Sequence, residues 1–385
     1  MSRPVTHLGY LTPRQIERDL AVRDLSDPAE GPHAMQLLVG RAVHSLSQAW
    51  GCDVRWCRNS RIVPVADNYD RLNYPAGSIT RETRYTRYID AGRMLRSHST
   101  AMIPPALRRL AGDPAGGAGD VLLVCPGIVY RRDAIDWQHT GTPHQLDLWR
   151  VTRRPVTSED MADMIAILLA ALVPGLPSRR SPREHSYTTD GAQVDVRHGG
   201  RWVEVWECGQ ANPAVLAAAG LGDRTGLALG MGLDRLLMIA KDIPDIRLLR
   251  SADPRVAGQM LDLAPYQRVS AMPAVTRDLS VAVSAHEDEE TLGDRVRESL
   301  GQDARRVEEV KVLSATPYEE LPAQAIGRLG ARPGQRNLLV RVTLRDLDAT
   351  LTNEAANDLR DRVYAALHEG TRHEWSARPA ASCHT

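Results

Sequence analysis

The chain has 385 residues, enough for two or three domains that each bury a core. Lysine plus arginine and aspartate plus glutamate both number 48, so the net charge is zero and any polyanion site must come from local clustering. Five cysteines without metal-like spacing fit a reduced, cytosolic protein better than a secreted or zinc-bound one. No apolar run approaches membrane-spanning length and the N-terminus lacks a signal-peptide core, so a soluble, cytoplasmic protein with no membrane partner is expected. Phenylalanine is absent, against ten tyrosines and seven tryptophans. Lysine occurs only at Lys241 and Lys311, a sign of GC-rich coding, but that bias bears alike on phenylalanine and tyrosine and does not explain the absence.

Residues 1–66 read as an N-terminal helical extension, with PHAMQLLVGRAVHSLSQAWG as one amphipathic helix stopped at Gly51. Short strands follow at CDVRW and RIVPV. MLRSHSTAMIPPALRRLAG reads as a strand end, a polar turn and a helix, and AGDPAGGAGD as a flexible surface loop. VLLVCPGIVYRRD and HQLDLWRVT are two antiparallel strands around a loop with charge of both signs. Thr157 and Asp160 start a helix over SEDMADMIAILLAAL. Strands recur at AQVDVR and RWVEVWE, and GLALGMG reads as a glycine-rich turn into the helix LDRLLMIAKD. These elements predict an α+β core built on an antiparallel sheet, over residues 67–265. Around residue 270 the pattern restarts as LSVAV (strand), EETLGDRVRESLG (helix), VEEVKVLSA and NLLVRVTLR (strands) and NEAANDLRDRVYAALHEG (helix). With one more strand this is the order of a ferredoxin-like domain, over residues 270–372, followed by a tail over 373–385.

Three stretches carry chemistry. VYRRDAIDWQHTGTPHQLD resembles motif 2 of class II aminoacyl-tRNA synthetases, and GLALGMGLDRLLMIAKDIPDIRLL resembles their motif 3. With RSHST upstream, and PAVTRDLSVAV and DATLTNEAANDLRDRV downstream, the chain resembles phenylalanyl-tRNA synthetases in their single-chain, organellar-type arrangement, over roughly Asp67 to Gly370. In that arrangement a catalytic domain is followed by a ferredoxin-fold anticodon-binding domain.

The resemblance implies a ligase that makes an aminoacyl-adenylate from ATP and an aromatic amino acid, with Mg²⁺, and passes it to a phenylalanine-type tRNA. Charge builds on the transferring phosphorus in such a reaction, so catalysis rests on positioning and on cationic groups. By resemblance, Arg131 clamps the α-phosphate and the amino-acid carboxylate, and His139 lies in the loop that meets the outer phosphates. Arg235 holds the γ-phosphate through its planar donor fork, the alternative being a surface ion pair with Asp234. Glu204 helps hold Mg²⁺. His98 and Thr100 lie near the amino acid's head group; Gln145, Asp147 and Asp133 supply acceptors for its ammonium. Arg277, Arg341 and Arg345 are candidate phosphate contacts for tRNA. The single-chain relatives act as monomers, so a monomer is favoured, with Met1 to Ala66, which resembles the family less, as the segment that could support a dimer.

Departures from the family pattern fall in the pocket. Pro143 stands where an aromatic would stack on adenine. His185, Ser186 and Tyr187 replace Phe-Pro-Phe, Thr189 replaces a Glu, and Glu207 replaces a Gly; Ala228 keeps the family's small residue. Tyr for Phe is nearly isosteric, but buried His, Ser and Glu each require a partner. Two further readings stay open. One is a paralogue that charges a polar or modified aromatic amino acid for biosynthesis or resistance. The other is a catalytically weak tRNA-binding regulator.

Overall fold

The computed structural model describes residues 9–58, 60–83, 85–113, 119–269 and 272–373. The centre of the AGDPAGGAGD loop and nearly all of the expected tail lie outside the described residues. The chain divides into two compact units: residues 1–131, 142–244 and 257–267, and residues 132–141, 245–256 and 268–385. The N-terminal segment expected as a separate extension is part of the first unit. The tip of the charged loop, residues 132–141, divides with the second.

Unit 1 contains, in chain order, α1 (Pro13–Leu20), α2 (Ala34–Trp50), β1 (Asp53–Trp56), β2 (Ile62–Pro64), α3 (Val65–Asn68), β3 (Arg93–Leu95), α4 (Ile103–Ala111), β4 (Val121–Ile128), β5 (His144–Thr152), α5 (Ser158–Leu172), β6 (Ser178–Pro182), β7 (Thr188–His198), β8 (Arg201–Ala211), α6 (Pro213–Ala218), β9 (Thr225–Gly232) and α7 (Leu233–Lys241). Local signals place the helix ends. Gly51 stops α2 in the left-handed region (φ 60°), and Thr157 with Asp160 forms the reciprocal capping box that opens α5.

Seven strands form one sheet in the order β1-β4-β5-β9-β8-β7-β6, antiparallel except for the β1–β4 edge. GLALGMG is thus not a turn but most of β9, the sheet's central strand. Its residues alternate Gly226, Ala228, Gly230 and Gly232 with Leu227, Leu229 and Met231. That period of two marks a strand with one nearly bare face. Opposite its ends, α4 and α6 cover Val121, Leu123, Trp149, Val151 and Ala211, while α2 packs on α5 and α7. Between β7 and β8 a bulge leaves Val205 without a partner: Val194 faces Trp206, but Asp195 faces Glu204. The extra residue turns Glu204 onto the same face as Glu207.

Unit 2 contains the loop 132–141, α8 (Pro254–Ala257) at its edge, then β10 (Val275–Ser284), α9 (Glu289–Leu300), β11 (Val307–Pro317), α10 (Ala323–Leu329), β12 (Gln335–Leu344) and α11 (Asn353–Leu367). The sheet is antiparallel in the order β10-β12-β11. Leu279, Val281, Val283, Leu338, Val340 and Val342 of the sheet bury against Leu292, Val296, Leu359 and Val363 of α9 and α11. Ile135, from the loop, sits in this same core. Where the expected order needs a further strand, the described residues give one backbone bond, from Glu369 N–H to Ala282 C=O at 2.8 Å. Among the described residues no helix is long and apolar enough to cross a membrane.

Candidate active site

The bare face of β9 is the floor of a trough. On one side β5 places Gln145 opposite Gly232, Asp147 opposite Gly230 and Trp149 opposite Ala228. On the other, β8 places Glu207 opposite Gly230 and Gly209 opposite Ala228. Register therefore lines up Cys125, Asp147, Gly230, Glu207 and Gln193 in one row across five strands. A Cβ at Gly232 would meet nothing within 4 Å, and one at Gly230 would meet only the Asp147 carboxylate, at 3.7 Å.

One end of the trough suits the head group of an amino acid. The RSHST turn docks on β5: Ser99 N–H donates to Gln145 Oε1 (3.1 Å), and the Ser99 and Thr100 hydroxyls donate to Asp147 Oδ2. Asp147 is 2% exposed, and its Oδ1 is buried with no partner. Burial raises Asp147 to about 6 despite the opposing effects of the two hydroxyls, the nearby Trp149 indole and His185. Asn68 accepts from Ser97 N–H through Oδ1 and donates through Nδ2 to Ser97 Oγ (2.8 Å) and His98 Nε2 (3.3 Å). With Nε2 as acceptor, the proton of neutral His98 sits on Nδ1, which is also buried without a partner. Burial, then the nearby Arg131 guanidinium, holds His98 down to about 4, so it stays neutral. An unmet acceptor and an unmet donor thus lie at the same end of the site, where Ser99 and Thr100 tie the RSHST turn to Asp147.

The other end is polar in a different way. His185 Nε2 lies 2.8 Å from Glu207 Oε2, and Arg183 Nε lies 2.8 Å from Glu207 Oε1. His185 Nδ1 is 3.3 Å from Thr188 Oγ1. Burial alone would raise Glu207, but His185 and Arg183 outweigh it and hold the carboxyl below its usual range. The Tyr187 ring stacks between His185 (5.3 Å) and Trp149 (6.1 Å) and meets Tyr74 at 6.2 Å; Tyr74 in turn stacks on His98 at 5.7 Å. Burial pushes the Tyr74 and Tyr187 phenols well up, with Asp147 and Glu207 both adding to the effect. The rings of His98, Tyr74, Tyr187 and His185 thus run in contact from one end of the trough to the other.

Arg235, in the first turn of α7, donates through Nη1 to the Glu204 carbonyl (3.2 Å), and its Nε is buried with no partner. Burial and then Glu207 raise the Glu204 carboxyl, with Arg235 opposing. Asp234 is held by His144. Pro143 leads into β5, its carbonyl accepting from Val129 N–H at 2.8 Å.

The remaining predicted residues lie elsewhere. Asp133 and His139 belong to unit 2. There Arg297 donates to the carbonyls of Asp133 and Ala134, Arg132 pairs with Asp294 at 3.3 Å, and His139 Nδ1 meets Asp136 at 2.6 Å. The structure does not bring Arg277, Arg341 and Arg345 together as one surface. Arg277 shares the helix-covered sheet face with Leu279 and reaches Asn357 of α11 at 3.0 Å. Arg341 lies exposed on the opposite face in a two-bond pair with Asp278, while the far end of that face is covered where Leu329 and Ala331 bury Ala282. Arg345, beyond β12, is engaged by Glu308 and the Met272 carbonyl.

Sequence reasoning missed Asn68, Tyr74, Ser99, His144, Arg183 and Asp234. Ser99, His144 and Asp234 lie inside the motif stretches, but their pairings are made only through space: Asn68 and His98 are 30 residues apart and His144 and Asp234 are 90 apart.

The family model described as "tRNA synthetases class II core domain (F)" matches residues 50–260. The chain is 33% identical over 194 residues to the phenylalanine–tRNA ligase alpha subunit of Nostoc punctiforme, covering 50% of this chain and 56% of that protein. It is 27% identical over 321 residues to the chloroplastic/mitochondrial phenylalanine–tRNA ligase of Arabidopsis thaliana, covering 79% and 68%. A solved Desulfitobacterium hafniense pyrrolysyl-tRNA synthetase aligns with a TM-score of 0.42 and 18% identity, over 61% of this chain and 77% of that one. The chain thus spans little more than half the length of the bacterial alpha subunit it matches. The match over residues 50–260 takes in the whole trough, from Asn68 to Arg235, and on it the protein belongs to the class II tRNA synthetase core family of type F.

Proposed function

We propose that this protein is an ATP-dependent, phenylalanine-type aminoacyl-tRNA ligase. One observation carries the reading: a buried donor, His98 Nδ1–H, and a buried acceptor, Asp147 Oδ1, neither in a hydrogen bond, lie on the RSHST turn and beside Gly230 of the glycine floor. An amino-acid zwitterion offers the carboxylate and the ammonium that complete them. Arg131 is the group for the α-phosphate and Arg235 for the outer phosphates.

Glu204 is the residue that fits Mg²⁺: its side chain makes no hydrogen bond among the described residues, and burial disfavours its charge. No cluster of three or more His, Cys, Asp or Glu side chains among the described residues could cage a metal, so phosphate oxygens would complete the shell. The cation would supply charge neutralisation at the phosphates. His139 and Asp133 are assigned to the nucleotide and the ammonium through the motif 2 resemblance alone.

Unit 2 is assigned to tRNA as a ferredoxin-like domain, the sheet face away from α9 and α11 carrying Arg341 opposite Lys311. Arg277, Arg341 and Arg345 take phosphate roles only by exchanging their present partners, Asn357, Asp278 and Glu308.

The test is ATP–pyrophosphate exchange across aromatic amino acids. Exchange should require an aromatic amino acid and vanish in Arg235→Ala with the fold intact; retained exchange in that variant would refute the motif 3 assignment. The paired variant Lys311→Glu/Arg341→Glu should depress tRNA charging far more than exchange. That variant is cleaner than truncating the chain at residue 268, because truncation would expose Ile135 of the loop.

A further inference from the structure

We infer that Glu207, His185 and Arg183 select the substrate's side chain, and that the trough takes an aromatic amino acid bearing a hydrogen-bonding group on its ring in preference to an unsubstituted phenyl ring. The inference rests on the ligase reading and concerns only the identity of its amino acid.

Asp147 and Glu207 flank the side-chain-free Gly230 in one row of the sheet. Their backbones stand two strand spacings apart, roughly 10 Å, a length along which a single-ring amino acid can lie. Its ammonium end belongs at Asp147, whose Oδ1 is unmet. The ring then lies over Gly230 beside Tyr74 and Tyr187, whose rings link His98 at one end to His185 at the other. Its far edge meets the Glu207–His185 pair.

At that edge the chemistry divides substrates. The side chain of His185 is 11% exposed and that of Glu207 is 23% exposed, so water still reaches the pair. A bare phenyl edge removes that water and returns no hydrogen bond to either group. A ring hydroxyl or amino group returns a donor to Glu207. Full rejection of the bare ring is not expected, since Arg183 and His185 keep Glu207 partnered in both complexes. The preference should be about 10–100-fold in kcat/KM.

The absence of phenylalanine from all 385 residues agrees with this. An enzyme that placed a substituted ring on a phenylalanine-type tRNA would corrupt phenylalanine codons, and a chain with none is immune to its own product.

The experiment compares ATP–pyrophosphate exchange with phenylalanine, tyrosine, meta-tyrosine and 3,4-dihydroxyphenylalanine, in the wild type, Glu207→Gln and His185→Phe. Thermal shifts by the same amino acids without ATP provide a second readout. At least one hydroxylated ring should exceed phenylalanine by 10-fold or more in the wild type, and both variants should move the ratio toward phenylalanine. Glu207→Gln keeps the volume of the side chain, so it remains informative should His185→Phe fail to fold. A wild type that prefers phenylalanine, or a ratio that Glu207→Gln leaves unchanged, overturns the inference while the ligase reading stands. No exchange and no thermal shift with any of the four overturns both.

Discussion

Asp234 accepts two hydrogen bonds from His144, one from the backbone N–H and one from the ring Nδ1 at 2.9 Å. The other ring nitrogen, Nε2, accepts from Leu25 N–H at 3.0 Å. The first turn of α7, and with it Arg235, is thereby fastened to the first residue of β5, next to Gln145. Asp24 extends the chain of contacts by accepting from Ile128 N–H at 2.9 Å.

Asp234→Asn should therefore loosen the placement of Arg235 without touching the amino-acid end. Charge-assisted bonds of this kind contribute about 1.5–3 kcal/mol, so kcat for exchange should fall roughly 10–100-fold. The KM for the amino acid should stay within about twofold, and an equal rise in that KM would show that Asp234 instead shapes the whole site.

Two glycines of β9 should respond in opposite ways. A Cβ at Gly226 would lie 2.1 Å from the Arg150 carbonyl, inside the sheet backbone, whereas one at Gly230 finds ordinary contact. Gly226→Ala should destabilise unit 1 by about 2 kcal/mol or more. Gly230→Ala should melt near the wild type yet raise the amino-acid KM, because its methyl group occupies the trough. Thermal melting and exchange kinetics on the pair decide it; similar KM values in Gly230→Ala and wild type would remove Gly230 from the floor of the site.

Asp147 should impose a pH limb on activity and the opposite trend on stability. On the proposed reading the substrate ammonium needs the ionised carboxyl, and the folded pKa is raised to about 6 from 3.8. As pH falls through 6 the carboxyl protonates, so kcat/KM for the amino acid should drop about tenfold per unit, while kcat, measured on the occupied site, stays flatter. For the unliganded protein the sign reverses. A raised folded pKa contributes stability that is present below 3.8 and lost as pH rises through 6, up to roughly 3 kcal/mol. Asp147→Asn should accordingly be the more stable protein at pH 8 by urea titration, and inactive.

In unit 2, Gly293 of α9 lets the charged loop pack closely: an added Cβ would lie 2.6 Å from the Asp133 carbonyl. Gly293→Ala should push the loop away, and Arg297→Ala should release the Asp133 and Ala134 carbonyls. Hydrogen exchange over residues 132–137 should quicken at least about tenfold in both variants, equivalent to some 1.4 kcal/mol of lost protection. Unaltered exchange would mean that Ile135 alone holds the loop.

Local chemistry in the sequence was enough for many elements. Thr157 and Asp160 cap α5 from within three residues of one another, and Gly51 and Gly301 end α2 and α9 through their own backbone freedom. The motifs carried the family for the same reason, since RSHST, HQLD and GLALGMGLDR are contiguous. What they could not carry was alignment between strands. GLALGMG reads as a turn from glycine content alone, and only its neighbours β5 and β8 make it the floor of a trough. Glu204 and Glu207 would face opposite sides of a regular strand, and the unpaired Val205 that brings them together is a property of the β7–β8 ladder. Asp133 and Arg131 are two residues apart, yet they divide between units because Ile135 buries in the core of α9 and α11. Segment-level hydrogen bonding and capping are written in adjacent residues; register, bulges and shared cores arise between residues tens of positions apart, and there only tertiary packing decided the outcome.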